Sequence, residues 1–402
     1  MSINQLVVLM TDMRGRVSEE YDLAWQSSMR EFRKTDWDAL ARDLPTPLLS
    51  WDWLRLLEES GSASSATGWH PQHLAVYRSG RLVAAAPLFI KTHSEGEFVF
   101  DQFWAQLASR MDVAYYPKLV GMSPFTPIGA YRFILDSGPD QSSLIHLICK
   151  EIKAFCTSNR ISGCHFQFVD PDWSGELVDV GFVPWVHPGF AWENQGYVSF
   201  DDFLASLKSS RRKNIKKERK SLAEQEIRVE AFSGDEILEK HLMWMYRFYV
   251  HTNQRYFPWS CKYLTQNFFL GMTKDLKEHL LLLAAFRPGQ DRPVGMSMLV
   301  FKDGLLLGRY WGGEEGISFL HFNLCYYEPI DWAIRNRMQR FDPGMGGEHK
   351  LYRGFQLVPN YSLHKVFDLR FQNVMRLSLQ EHNMLQKRRM QELNQGRPPF
   401  GA

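Results

Sequence analysis

The chain has 402 residues, enough for two or three domains, and its 45% hydrophobic and 14% aromatic content fills large cores and excludes a disordered chain. A formal charge of +2 means that any affinity for nucleic acid or membrane must come from local patches. Five cysteines (Cys149, Cys156, Cys164, Cys261, Cys325), an odd number with no CxxC pair, point to reduced thiols, and no metal is expected. The opening "MSINQLVVLMTDMRGRVSEEYD" carries only a short apolar run, without the basic flank and longer apolar core of a signal peptide. No stretch approaches the roughly 18 apolar residues of a membrane span, so a cytoplasmic protein is the expectation.

A polar helix candidate comes first in chain order. In "LAVYRSGRLVAAAPLFIK" (74–91), two β-type runs then flank Ser79-Gly80, a hairpin signal. Next, "FVDPDWSGELVDVGFVP" (168–184) closes the first half. Residues 203–225 follow, with Phe203, Leu204, Leu207, Ile215 and Leu222 as a loose helical stripe on an otherwise basic segment. Within it "RRKNIKKERK" (211–220) sets seven basic residues against one acid, which suits tRNA, a lipid phosphate or a coenzyme adenylate, and equally a solvated helix face. Residues 281–313 read as three strands in a meander, turning at "RPGQDRP" and "KDG". "FLHFNLCYYEPIDWAIRNRM" is helical in pattern except at Pro329, where the helix starts or kinks.

"FDPGMGGEHKLYRGFQLVP" (341–359) repeats the layout of 168–184. Each begins at a Phe before an Asp-Pro turn and reaches Gly-Phe thirteen residues on, at Gly181-Phe182 and Gly354-Phe355. This predicts one α/β unit with a mixed sheet used twice, as domains 1–195 and 196–370, before a helix and mobile tail over 371–402. The first copy keeps Glu176 but no His or Lys at the matching place, so a single site in the second copy is expected.

The chemistry-bearing residues cluster in "PGMGGEHKLYRGF", where glycines allow tight bends or close approach to a ligand. Read as a strand, it places Glu348 and His349 on opposite faces and Lys350 beside Glu348. Glu348 is the first candidate for a general base and His349 the second, although an exposed Glu–Lys pair at a strand end fits the same letters. In "LLLGRYWGG", Arg309 and Trp311 share a strand face opposite Tyr310, and Gly312-Gly313 offer backbone N–H groups to an anion. His321 and Cys325 share a helical face, with Cys325 as buried filler. Tyr116 and Lys118, in "YYPKL", either reach substrate or pack an interface.

The strings "GRYWGG", "LHFNLCYYEPIDWAI" and "GGEHKLYRGF", with "TGWHPQHL", "HSEGEFVFDQFWA" and "PFTPIG" in the first half, resemble a bacterial family of N-acyltransferases labelled peptidoglycan biosynthesis/recognition. That family is related to Fem-type aminoacyl ligases and to the GNAT superfamily. The resemblance, from about residue 45 to about 370, implies two tandem GNAT-like domains and acyl transfer to an amine, in a small molecule or cell-wall precursor. For such a transfer the expected roles are Glu348 or His349 as base, Arg309 and Arg353 for an anionic group, Lys350, Trp311 and His321 beside the substrate, and Gly312, Gly313, Gly346 and Gly347 for phosphate or the oxyanion. The ordinary pyrophosphate loop of acetyl-CoA enzymes is absent, so acyl-CoA and aminoacyl-tRNA both remain as donors. Asn323 also stands where an acid commonly follows "HF". A non-catalytic protein that binds an amino-sugar ligand is the alternative outside enzymes.

Overall fold

The structure, a computed structural model, describes residues 15–18, 20–138, 140–255 and 262–396. Cys261 and residues 397–402 of the expected tail lie outside them. The chain forms two compact units that are not contiguous in sequence: 1–44, 48–187 and 360–384 make the first, and 45–47, 188–359 and 385–402 the second. Both differ from the expected division at 195 and 370, for a reason that appears in the strand pairing.

In the first unit, a five-stranded antiparallel sheet runs in the order Gly15–Ser18, Tyr21–Gln26, His73–Arg78, Arg81–Ala86, Ile134–Leu135. Its expected hairpin turns through Ser79 (φ 51°) and Gly80 (φ 76°), the two left-handed residues that suit the twist of the flanking strands. A second run pairs His70–Pro71, Leu88–Lys91, Lys118–Gly121, Gly163–Val169 and residues 361–366, with only Lys118–Gly121 and Gly163–Val169 parallel. The Gln141–Ser158 helix buries Leu144, Ile148, Ile152 and Phe155, spaced at three to four residues as one apolar face requires.

The second unit contains the expected meander. Leu280–Phe286, Gly295–Lys302 and Leu305–Gly313 pair antiparallel, the last turn passing through Asp303 (φ 45°) and Gly304 (φ 84°). "LLLLAAF" is buried at every position, which is why it reads as a continuous apolar run. Arg340–Asp342 then joins parallel to Leu305–Leu307, and Trp192 and Glu193 pair antiparallel to Phe341 and Arg340 on its other side.

The two closing segments share one layout. Each leaves its strand at an Asp-Pro turn, makes a short helix (Ser174–Asp179 or Glu348–Arg353), and passes a left-handed glycine (Gly181 φ 90°, Gly354 φ 92°). A buried phenylalanine, Phe182 or Phe355, then leads into an eleven-residue strand. The strand after the first segment ends by pairing in the second unit, and the strand after the second ends by pairing in the first. This exchange moves the boundaries away from 195 and 370. Among the described residues, no helix is long and apolar enough to cross a membrane.

The Glu239–Arg255 helix lies against the Leu305–Gly313 strand so closely that a Cβ on Gly312 would stand 2.5 Å from the Phe248 carbonyl oxygen and 2.6 Å from Thr252 Oγ1. Backbone cannot give way as a flexible side chain can. Gly312→Ala is therefore expected to lower stability by about 1–3 kcal/mol in urea titrations, the usual range for overpacking. Gly175→Ala, in the Ser174–Asp179 helix with nothing within 4 Å of its added Cβ, should instead gain about 0.5–1 kcal/mol. Equal effects at the two sites would contradict this packing.

Candidate active site

The glycine-rich bend after Arg340–Asp342 is built from its own polar groups. Gly344 N–H donates to Asp342 Oδ1 at 2.8 Å, closing a side-chain turn, and Gly344 itself sits at φ 80°. Lys350 then reaches back to donate to the Gly344 carbonyl at 2.7 Å. A Cβ on Gly346 (φ 155°) would lie 2.7 Å from Lys350 Nζ, so the glycine leaves room for the ammonium.

Residues 348–353 are not the expected strand but a tight helix of three residues per turn. The alternation expected for Glu348, His349 and Lys350 is therefore replaced. Glu348 is partly exposed and meets Arg389 at 3.2 Å, both in the second unit. Lys350, expected beside Glu348, turns inward instead, with Nζ 5.0 Å from the Phe190 ring centre. Burial pushes its pKa down to about 8 against the pull of Asp342, whose own carboxyl burial raises. His349 is half-buried, and its Nε2 lies 3.0 Å from Tyr326 Oη.

Tyr326 comes from the segment in which sequence showed Pro329 as a break. The helix runs from 320 to 335 without stopping, but residues 323–327 form a wider π turn just before that proline. A proline inside a helix supplies no N–H and crowds the preceding turn, and a π turn absorbs both. It buries Asn323, Leu324, Tyr326 and Tyr327 together. Asn323 donates to the Glu218 and Phe319 carbonyls and so serves the packing. The His321 ring is 4.5 Å from Trp311, 5.2 Å from Tyr326 and 6.5 Å from His349. Burial, then coupling to His349 and the charges of Lys350 and Arg353, drop its pKa to about 4. His349 is lowered for the same reasons, burial first, then Arg353 and Lys350. Thus Trp311, His321, Tyr326, His349 and Lys350 come together in the second unit. Cys325 is partly buried, with its thiol pKa pushed up by desolvation.

Four expectations need correction. Arg353, expected around an anionic group, turns its donors inward: Nε donates to Tyr327 Oη (2.8 Å), Nη1 to the His349 carbonyl (2.9 Å) and Nη2 to both Glu218 oxygens (2.8 and 3.1 Å). Tyr327 donates to Glu218 as well, and the guanidinium carbon lies 3.6 Å from the Phe322 ring centre. Gly312 and Gly313 are closed to a phosphate, the first by Phe248 and Thr252, the second by Leu320 Cδ2, 2.9 Å from an added Cβ. Arg309 is the extra residue of a β-bulge, since Met298 faces Tyr310 while Leu299 faces Gly308. Its guanidinium donates to Tyr310 Oη at 3.0 Å, so the two do not point to opposite faces. Tyr116 and Lys118 belong to the first unit, where Tyr116 meets Ser94 and Lys118 is buried against Glu97 and Asp101.

The basic run is half internal. Arg211 donates to the Leu351 carbonyl and Arg219 to Glu328, while Lys213, Lys216, Lys217 and Lys220 line the exposed side of the Ser209–Glu224 helix. Sequence reading missed Tyr326, Glu218 and Asp342. Glu218 had a signal, being the lone acid among seven bases; Tyr326 had none beyond its place before Pro329.

Two solved structures share this fold. FemX is 11% identical over 86% of this chain and 98% of its own, with a TM-score of 0.54. The C-terminal domain of a putative lysylphosphatidylglycerol synthetase from Agrobacterium fabrum is 8% identical over 88% of this chain and 97% of its own, with a TM-score of 0.53. The architecture is the expected mixed α/β one, with mixed sheets. No curated protein sequence matches. A family described as peptidoglycan biosynthesis/recognition matches residues 28–401, and the chain therefore belongs to this FemAB-like family.

Proposed function

We propose that the protein transfers an acyl or aminoacyl group to an amine at the cluster around His349. Such a transfer needs the attacking nitrogen to lose a proton and an anionic part of a substrate to be held. The reading rests on one observation: His349 is half-buried and directed by Tyr326, among groups that keep it uncharged. If Nε2–H donates to the Tyr326 oxygen, Nδ1 carries the free lone pair on the Gly347 side. A Cβ at Gly347 would lie 3.2 Å from that nitrogen, and glycine leaves the approach open. Nδ1 then takes the amine proton as the new C–N bond forms and the donor's leaving group departs. Trp311 and His321 wall the site, and Lys350 is a positioning residue whose charge keeps His349 neutral.

His349→Gln should lower kcat/KM by about a hundredfold or more while its melting curve stays that of the wild type, and Glu348→Gln should change it less than about threefold. A base must be deprotonated to act, and His349 lies below the ordinary 6.5. The acid limb of the kcat/KM profile should therefore fall below about pH 6.5, with no loss between 6.5 and 7.5. Full activity in His349→Gln, or the reverse ranking of the two variants, would overturn the assignment.

The exposed lysines of the Ser209–Glu224 helix favour a polyanionic donor, aminoacyl-tRNA, over an acyl-CoA. Replacing Lys213, Lys216 and Lys217 together by Gln should weaken binding of charged tRNA and reduce the slope of log K against log salt by about two. Unchanged tRNA binding, with turnover on an acyl-CoA, would select the thioester instead.

A further inference from the structure

The Leu369–Gly396 helix, 28 residues long, has two unlike sides. Phe371, Met375, Leu379 and Met390 are buried and, four or eleven residues apart, fall on one side of it. At about 3.6 residues per turn, the opposite side carries Val374, Leu377, Glu381, Met384, Leu385 and Arg388. That side is open: Leu377, Met384 and Leu385 keep 59%, 62% and 60% of their surface exposed. Single apolar residues scattered over a surface are ordinary, whereas three large ones within about two turns of one helix face form a stripe that suits a partner.

The charges in the stripe say which partner. Glu381 lies one turn before Met384 and Leu385, and Arg388 lies one turn after them, on the same line of the helix. Glu381 is exposed and makes no ion pair among the described residues. Arg388 meets Glu392 of its own helix at 2.9 Å, with both side chains mostly exposed. Consider a two-fold axis that crosses the helix between Met384 and Leu385 and sets a second helix antiparallel to the first. Each residue then faces the one equally far on the other side of the axis. Glu381 meets Arg388 of the second copy, Arg388 meets its Glu381, and Met384 and Leu385 each pack on their own counterparts. A parallel pair in register would oppose acid to acid and base to base, which is unfavourable.

We infer that this side of the helix is an interface between two copies of the chain, paired antiparallel about Met384 and Leu385. Such an interface is self-complementary, as two-fold symmetry requires, and one acid and one base placed evenly about its centre meet that condition. A lipid surface is the other apolar partner that a helix stripe can meet, but Glu381 in the middle of the stripe opposes it, because the carboxylate would enter the acyl boundary unpaired. Val374 to Arg388 spans about 21 Å of helix, so the contact is small and the dimer weak. The proposal does not depend on the chemistry at His349.

Sedimentation equilibrium of the full chain over a concentration series tests it. The wild type should dimerise reversibly. Glu381→Arg and Arg388→Glu should each weaken association about tenfold or more, because each opposes like charges twice. An equimolar mixture of the two variants should recover the wild-type constant, since each then supplies the charge that the other lacks. Met384→Asp should remove the dimer while the melting curve of the monomer stays unchanged, the residue being exposed. A monomer at every concentration would overturn the proposal, and so would a dimer indifferent to both charge reversals. Weakening by both reversals without recovery in the mixture would overturn the antiparallel pairing. Binding to phosphatidylglycerol vesicles that Met384→Asp abolishes, without self-association, would overturn the choice of partner.

Discussion

The second unit depends on the pairing of Arg353 with Glu218. These residues are 135 positions apart, and their side chains remain only 10% and 13% exposed, so neither charge is satisfied by water. One guanidinium ties three segments. Through Glu218 it holds the basic helix, through Tyr327 and Phe322 the helix with the π turn, and through the His349 carbonyl the short helix of its own segment. Desolvating two charges is unfavourable, and only good geometry with further hydrogen bonds offsets it; here Tyr327 supplies them to both partners. The same positive charge helps to hold His321 and His349 unprotonated. Structure and electrostatics thus share one cause.

The residue that looked like a binder of a ligand anion is paired with an internal one. Arginine suits a ligand carboxylate because its donors are fixed in a fork, and the same fork suits an internal carboxylate. Sequence alone does not distinguish the two. Glu218 could be noticed as the single acid in "RRKNIKKERK", but its partner lies too far along the chain for any local pattern to pair them. The exchanged strands were hidden for the same reason, since pairing of 361–366 with Gly163–Val169 spans nearly half the sequence.

What was legible was local. Ser79-Gly80 and Asp303-Gly304 marked their turns because left-handed backbone needs such residues, and the Leu-rich strand announced its burial. The repeated closing segment survived as Asp-Pro and Gly-Phe because the turn and the left-handed glycine allow few substitutes. Secondary structure at the site was less legible. "GEHKLYRG" is bounded by glycines and has no apolar period, so strand and tight helix fit it equally, and that choice decides where Glu348 and Lys350 point. The bulge at Arg309 and the π turn before Pro329 each insert a residue that no two- or four-residue pattern anticipates.

A double-mutant cycle between Glu218→Gln and Arg353→Gln, measured by urea unfolding, tests this dependence most directly. A coupling energy of about 2 kcal/mol or more is expected, as for a buried, hydrogen-bonded charge pair. A value below about 0.5 kcal/mol, the size found for exposed pairs, would contradict the account.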